Sequence, residues 1–424
     1  MIFSKPIAEL NIEDIKTFCE KGIREGFTLD YKADFPHDLA KSICAFANTF
    51  GGVILIGVEE DNESKPKLPV KGILFERGLH ERVMSIILDN INPPLFPEIN
   101  VIKFEKENKE LAVIVVGIPQ SDETPHTINN RRFVYVRTDN RNKPEEVATI
   151  EQIEWLLNKR KKSEELKKSL YNDADERLVD IYRSIKHIGT GEGATILPKG
   201  LSLPKAQGIF SAIPLFPNKP FINVRELKNL CNGDDLRIRD YFGGLNYFPY
   251  FDQEVKTTQQ SVISYFLNET RKQILFYEFN IYGLFFYQEP FGWCMNEKGQ
   301  RERSGKINSV WFHHVLARLD QFLEIIERFY DKIGVLGLIE VKLKLNNIFG
   351  LKMVRADTFF SFPHDERISN QRNLEIRRIL TKQQLKETRV DILKEIFKEV
   401  CLTFNFDVGD KIIEDYLREN KRLF

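Results

Sequence analysis

The chain has 424 residues, 42% of them hydrophobic and 12% aromatic, including 33 phenylalanines. This excludes a disordered chain, and the length exceeds what one core usually supports, so two globular domains are expected. With 62 basic against 62 acidic residues the formal net charge is zero, which excludes a histone-like binder and leaves only a local patch for nucleic acid.

Asn11 is the first expected helix cap, with Glu13 and Asp14 in the first turn and Ile12, Ile15, Phe18 and Cys19 as the apolar face of a helix over 11–24. Residues 25–32 read as a short strand, with Thr28, Asp30 and Lys32 on one face and Leu29 and Tyr31 on the other. A second helix opens near Pro36, with Asp34 as candidate cap. It buries Leu39, Ala40, Ile43, Cys44 and Phe46-Ala47 and stops at Asn48 and Gly51-Gly52. Val53 to Val58 is apolar, too short for a helix and bounded by glycines, so it reads as a strand buried on both faces. Three acids, Glu59-Glu60-Asp61, follow it.

A polar loop over 61–69 leads to a helix over 76–92, ended by Asn92-Pro93-Pro94. Alternating strands at 98–105 and 109–117 join through Lys106-Glu107-Asn108, and a strand from Arg132 to Thr138 precedes a helix over 145–160. This order predicts an α/β domain over 1–158, a mixed sheet with helices covering one face.

Residues 159–179, with Lys159-Arg160-Lys161-Lys162, read as a solvated, charged helical connector, or alternatively as a basic tail for nucleic acid. Gly189-Thr190-Gly191-Glu192-Gly193 lacks the trailing Gly-Lys-Ser/Thr of a phosphate loop, so no ATP site is expected. The aromatic segment 274–293 alternates like core strands and lacks the interleaved Arg and Lys of a stacking surface. A helix over 308–333, strands at 336–345 and 349–355, and helices over 382–402 and 409–421 predict a separate α+β domain over 180–424, with no role assigned.

Five dispersed cysteines (Cys19, Cys44, Cys231, Cys294, Cys401) without a Cys-x-x-Cys pair read as reduced thiols. No basic-then-apolar leader and no apolar run near ~20 residues is found, so a cytoplasmic protein without membrane contact is expected.

The chemistry concentrates in the first 60 residues. If the strands 25–32 and 53–58 neighbour each other, Glu25, Asp30 and Glu60 converge beside Lys32. Carboxylates with a lysine at strand ends suit a divalent cation held against a phosphodiester. The competing reading makes Asp30 and Lys32 a surface ion pair, Glu25 a helix-end acid and Glu59 to Asp61 a solvated turn. Arg131, Arg132, Arg137, Arg141 and Lys143 form a cluster able to neutralise several phosphates, or else pair with Asp139, Glu145 and Glu146. His126, after Pro125, is a candidate substrate contact or a structural hydrogen-bonding residue.

Over roughly residues 8–160 the chain resembles the Schlafen-type AlbA domain. The residues that carry the resemblance are Glu25, Asp30-Tyr31-Lys32, Ala45-Phe46-Ala47-Asn48-Thr49, Gly51-Gly52, Ile56-Gly57-Val58 with Glu59-Glu60-Asp61, Pro125-His126 and Tyr135-Val136-Arg137-Thr138. The resemblance implies a metal-dependent endoribonuclease acting on structured RNA such as tRNA, in stress response or phage defence. Glu25, Asp30 and Glu60 would then hold Mg²⁺ or Mn²⁺, with Lys32 offsetting charge. Asp30 stands where glutamate is usual, and Glu60 where aspartate is common. Because the chain holds one copy of the domain, a homodimer binding RNA or DNA is expected. The alternatives are a non-catalytic nucleic-acid-binding regulator and an assembly module mediating protein contacts.

Overall fold

The computed structural model describes residues 3, 5–121, 123–128, 132–138, 145–187, 206–239, 247–249, 255–268, 273–292, 308–335, 337–354 and 367–422. The chain is mixed α/β and divides into two units, Met1–Leu166 and Lys167–Phe424.

The first unit runs α1 (Ile12–Glu20), β1 (Leu29–Lys32), α2 (Leu39–Asn48), β2 (Gly52–Ile56), β3 (Ile73–Leu74), α3 (Leu79–Asn90), β4 (Glu98–Lys106), β5 (Lys109–Ile118), β6 (Tyr135–Arg137), β7 (Glu145–Val147) and the start of α4 (Ile150–His187). Asn11 caps α1 as expected, its side chain accepting from the Glu13 and Asp14 amides while Asp14 accepts back from the Asn11 amide. In the sheet β1 and β2 are parallel, and β2, β3 and β4 are antiparallel to β5. β2 pairs with the Ile114–Ile118 stretch of β5 and β3 with Leu111–Ala112, so the two share one side of β5 while β4 takes the other. Glu107 and Asn108 turn the β4–β5 hairpin with left-handed φ of 52° and 59°.

Helices cover both faces of this sheet, not one. Ile54, Ile56, Ile114 and Val116 pack with α2 and α3, while Val53, Leu55, Val113 and Val115 pack with Ile15, Phe18 and Cys19 of α1. The cause is the near-continuous apolar runs of β2 and β5, which leave neither face fit for water.

Three expectations shift. The strand begins at Leu29 because Gly26 to Leu29 form a tight turn, the Gly26 amide donating to the Leu29 carbonyl at 3.1 Å. The expected helix over 145–160 starts at Ile150, since Glu145 to Val147 pair antiparallel with β6. The charged stretch after residue 158 belongs to α4, and its 167–182 portion is not a solvated connector. Leu170, Ala174, Leu178 and Tyr182 are buried on it. Its charges hid a helical stripe of apolar residues that packing selects.

The second unit adds β8 (Gln207–Pro214), α5 (Val224–Asn232), β9 (Ile238–Arg239), β10 (Tyr247–Phe248), β11 (Lys256–Thr257), β12 (Ser261–Asn268), β13 (Gln273–Asn280), β14 (Phe285–Pro290), β15 (Ser309–Trp311), α6 (Phe312–Ile333), β16 (Ile339–Asn346), β17 (Lys352–Val354), β18 (Asn373–Leu380), α7 (Lys382–Glu387), α8 (Arg389–Thr403) and α9 (Asp410–Arg422). Its seven-stranded sheet has the order β11-β12-β13-β14-β8-β16-β18, antiparallel throughout. The aromatic segment supplies β13 and β14, and Tyr277, Phe279, Phe285 and Tyr287 join the core with Phe322 and Phe329 of α6. Gly189 to Gly193 and Cys294 lie outside the described residues, and the other four cysteines are buried.

Candidate functional site

The site is built where β1, α2 and the β6–β7 hairpin meet. Leu29 and Tyr31 pack on the α1 side of the sheet, so alternation turns Asp30 and Lys32 the other way. The Asn48-Thr49 end of α2 explains how β6 arrives there. Asn48 donates to the carbonyls of His126 and Tyr135, at 2.9 and 2.8 Å, and accepts from the His126 amide. Thr49 donates to the Ala45 carbonyl and accepts from the Arg137 amide. These are buried polar groups satisfied by one another, and they dock the hairpin on the helix.

Arg137 therefore enters a closed cluster. Its side chain is 1% exposed, and its Nη1 lies 3.0 Å from Glu145 Oε1 and 3.8 Å from Asp30 Oδ2. Its Nη2 donates to the Gly26 carbonyl at 2.7 Å, and the guanidinium lies over the Phe46 ring. Glu145 also accepts from the Ser42 hydroxyl at 2.9 Å and lies 3.6 Å from Lys41 Nζ. Asp30, fully buried, takes Lys32 Nζ at 2.7 Å on its Oδ1.

Glu25 completes the group. Its carboxylate accepts the Tyr31 amide, in a short contact. Burial, then the hydrogen bond to Asp30 and that neighbour's negative charge, push the Glu25 carboxyl up to about 9, against the pull of the Tyr31 amide and Lys32. Asp30 Oδ2 is buried with no donor of its own, and the proton that Glu25 retains is the group that can supply one. For Lys32, burial pulls the ammonium down, but Asp30, Glu25 and Glu145 outweigh it and the net shift is upward.

The expected residues thus separate. Glu25, Asp30 and Lys32 come together, but Glu60 is exposed on the turn after Val58, where it bridges Pro66. The acids around it serve that turn: Glu59 pairs with Lys67 at 2.6 Å, and Asp61 accepts from the Glu63 and Lys65 amides. The match to the family pattern is what put Glu60 in the site, whereas Gly57, at a φ of +97°, ends the strand before it. Of the basic cluster, Arg137 is no surface phosphate ligand because its guanidinium is buried and turned inward onto Glu145 and Gly26. Arg132 is exposed, and Arg131, Arg141 and Lys143 lie outside the described residues. Glu145, Lys41 and Ser42 were missed as site residues. The only sequence signal for Glu145 was its standing as a candidate partner for the arginines.

As arranged, the acids do not fit a divalent cation. One Asp30 oxygen holds a lysine, Glu145 is taken by Arg137 and Ser42, and Glu60 stands apart. Among the described residues no three Asp, Glu, His or Cys side chains are grouped to hold a metal ion.

His126 is buried beside this site and neutral. Its Nδ1 faces the Pro93 carbonyl at 2.8 Å and so carries the proton, while Ser121 Oγ lies 2.6 Å from Nε2. Burial, first of its causes, holds the ring down at about 4. It is a structural residue.

Residues 25–146 match the family model Schlafen, AlbA_2. This segment carries the Schlafen AlbA_2 domain. The match begins at Glu25 and ends beside Glu145, leaving α1 and α4 outside it. Two solved structures are partly similar. One is the N-terminal domain of a RecG-related protein from Nitrosomonas europaea, at 18% identity over 25% of this chain and 72% of that one, with a TM-score of 0.20. The other is the DIP2311 protein from Corynebacterium diphtheriae, at 12% identity over 30% of this chain and 28% of that one, also at 0.20. The match therefore spans little more than a quarter of DIP2311. No curated protein matches the chain. Among the described residues no helix is long and apolar enough to cross a membrane.

Proposed function

We propose that the AlbA_2 domain binds nucleic acid through its phosphate backbone without cutting it. The observation that carries this reading is the charge of the cluster. Three cations, Lys32, Lys41 and Arg137, face two carboxylates, Asp30 and Glu145, while Glu25 keeps its proton to about pH 9. One positive charge is in excess, and the lysines that reach water are Lys32 and Lys41, 27% and 29% exposed. A lysine ammonium near a partly buried surface suits a phosphate oxyanion, and such contacts give affinity without sequence choice. The metal-dependent cleavage of RNA implied by the family resemblance has no such support, because the acid set does not fit the ion.

Fluorescence anisotropy with labelled RNA and DNA between 50 and 200 mM salt tests the proposal, with Mn²⁺ present and absent. Binding is expected to weaken steeply with salt, and a Lys32→Gln, Lys41→Gln double variant to bind about tenfold more weakly with a salt slope lower by about two. Equal binding by the variant would refute the lysine assignment. RNA cleavage that needs Mn²⁺ and disappears in Asp30→Asn would restore the endoribonuclease. A homodimer presenting two such lysine pairs, with the second unit as a separate α+β domain, belongs to the same proposal, and light scattering measures the stoichiometry.

A further inference from the structure

Two phenylalanines next to the cluster are held in water. Phe27 is 39% exposed and Phe50 55% exposed, and their rings meet edge to face at 5.5 Å. Single exposed apolar side chains need no explanation, but a touching pair on a fixed backbone does.

Both backbones are fixed. Phe27 sits in the Gly26–Leu29 turn, where the Gly26 carbonyl before it is held by Arg137 and the Thr28 carbonyl after it accepts the Val53 amide at 2.9 Å. Phe50 lies between Thr49, whose carbonyl accepts from Gln120, and Gly51, whose amide donates to the Phe46 carbonyl. Gly51 and Gly52 have φ of +68° and +154°, and a Cβ on either would come within 2.4 Å of backbone, at Gln120 N and Thr28 O respectively. No side chain is tolerated there, so the close approach of this loop to Gln120 and Thr28 requires both glycines.

We infer that Phe27 and Phe50 form a stacking platform for an unpaired base of single-stranded nucleic acid. The inference rests on the binding function proposed above. Two arguments favour that occupant. Arg137 ties the platform to the cluster, since the guanidinium that holds Gly26 also pairs with Glu145 beside Lys41. A base stacked on the rings thus belongs to a strand whose phosphates have partly exposed lysines in the same site. Bases in a duplex are already stacked on each other and do not offer a face, so the platform selects single strands.

The test compares a labelled 20-nucleotide strand, as RNA and as DNA, with its duplex, using the full chain. Phe27→Ala and Phe50→Ala are each expected to weaken single-strand binding about tenfold and to leave duplex binding within twofold. Phe50→Trp is expected to retain binding, with indole fluorescence quenched by the strand. Both side chains being exposed, circular dichroism should report unchanged folding. Should wild type bind single strands and both alanine variants bind them equally well, the platform is wrong and the binding function stands. Should light scattering show that the alanine variants lose self-association and nothing else, the rings contact a second copy, and the platform is overturned. Should wild type bind no nucleic acid, the binding function and the platform fall together.

Discussion

The two units bury carboxylates beside strands in different company. In the second unit Glu340 is almost fully buried and surrounded by Lys342 at 2.8 Å, Lys167 at 3.3 Å and Arg377. Burial alone would raise its pKa, but the three cations outweigh burial and hold it below the ordinary value. Glu278 is held by Arg177 Nε at 2.8 Å and by the Ser261 hydroxyl. Lys167 and Arg177 come from α4, so these carboxylates fasten the helix to the sheet. In the first unit Asp30 has a second acid, Glu25, against it, and the proton that Glu25 keeps stands in for a cation. The lesson is that burial of an acid does not by itself mark a site. A fully cation-matched acid is a fastening, whereas two acids against each other beside half-exposed lysines leave charge directed at solvent.

The largest expected effect breaks the first cluster. Arg137→Ala strands Asp30 and Glu145 without their buried cation and should cost about 3–5 kcal/mol in thermal or urea unfolding of the first unit. A loss below about 1 kcal/mol would mean that water already reaches the cluster. Arg177→Ala, in the second unit, should cost less, about 1.5–3 kcal/mol, because this arginine is 27% exposed and its partner keeps the Ser261 hydroxyl. If the two substitutions cost the same, the contrast between the units fails.

The pH dependence of stability sharpens the contrast most. Glu25 binds its proton more tightly folded than unfolded, its carboxyl being raised from 4.5 to about 9. The folded state therefore holds more protons through this window, and its contribution to stability is full below about pH 4.5 and declines as pH rises to about 9. Glu25→Gln replaces the protonated acid by a neutral amide and should flatten that decline, measured as melting temperature against pH. A wild-type profile that rises between pH 5 and 9 and is unchanged in the variant would show that Glu25 is ionised.

Much of the first unit was legible because its signals are local. The Asn11 cap, the apolar face of α2 and the runs that became β2, β4 and β5 declare themselves within a dozen residues. The second face of the sheet was missed because coverage of a doubly apolar strand depends on where α1 folds back. At the site, Glu25, Asp30 and Lys32 were read as neighbours, which their spacing along one turn and strand allows. Glu145 was not, since its contact with Ser42 spans 103 residues.

What the sequence by itself determined was the order α1, β1, α2, β2, α3, β4, β5 and β6 in the first unit, without β3 and β7, the Schlafen-type AlbA pattern over roughly residues 8–160, and the meeting of Glu25, Asp30 and Lys32. Only the tertiary structure decided that Arg137 turns inward, that Glu145 and Lys41 join the cluster and Glu60 does not, and that Phe27 and Phe50 share an exposed edge. The reason is physical. Periodicity and capping are carried by residues a few positions apart, whereas the charge of a site depends on which distant side chains arrive and on what burial does to their protons.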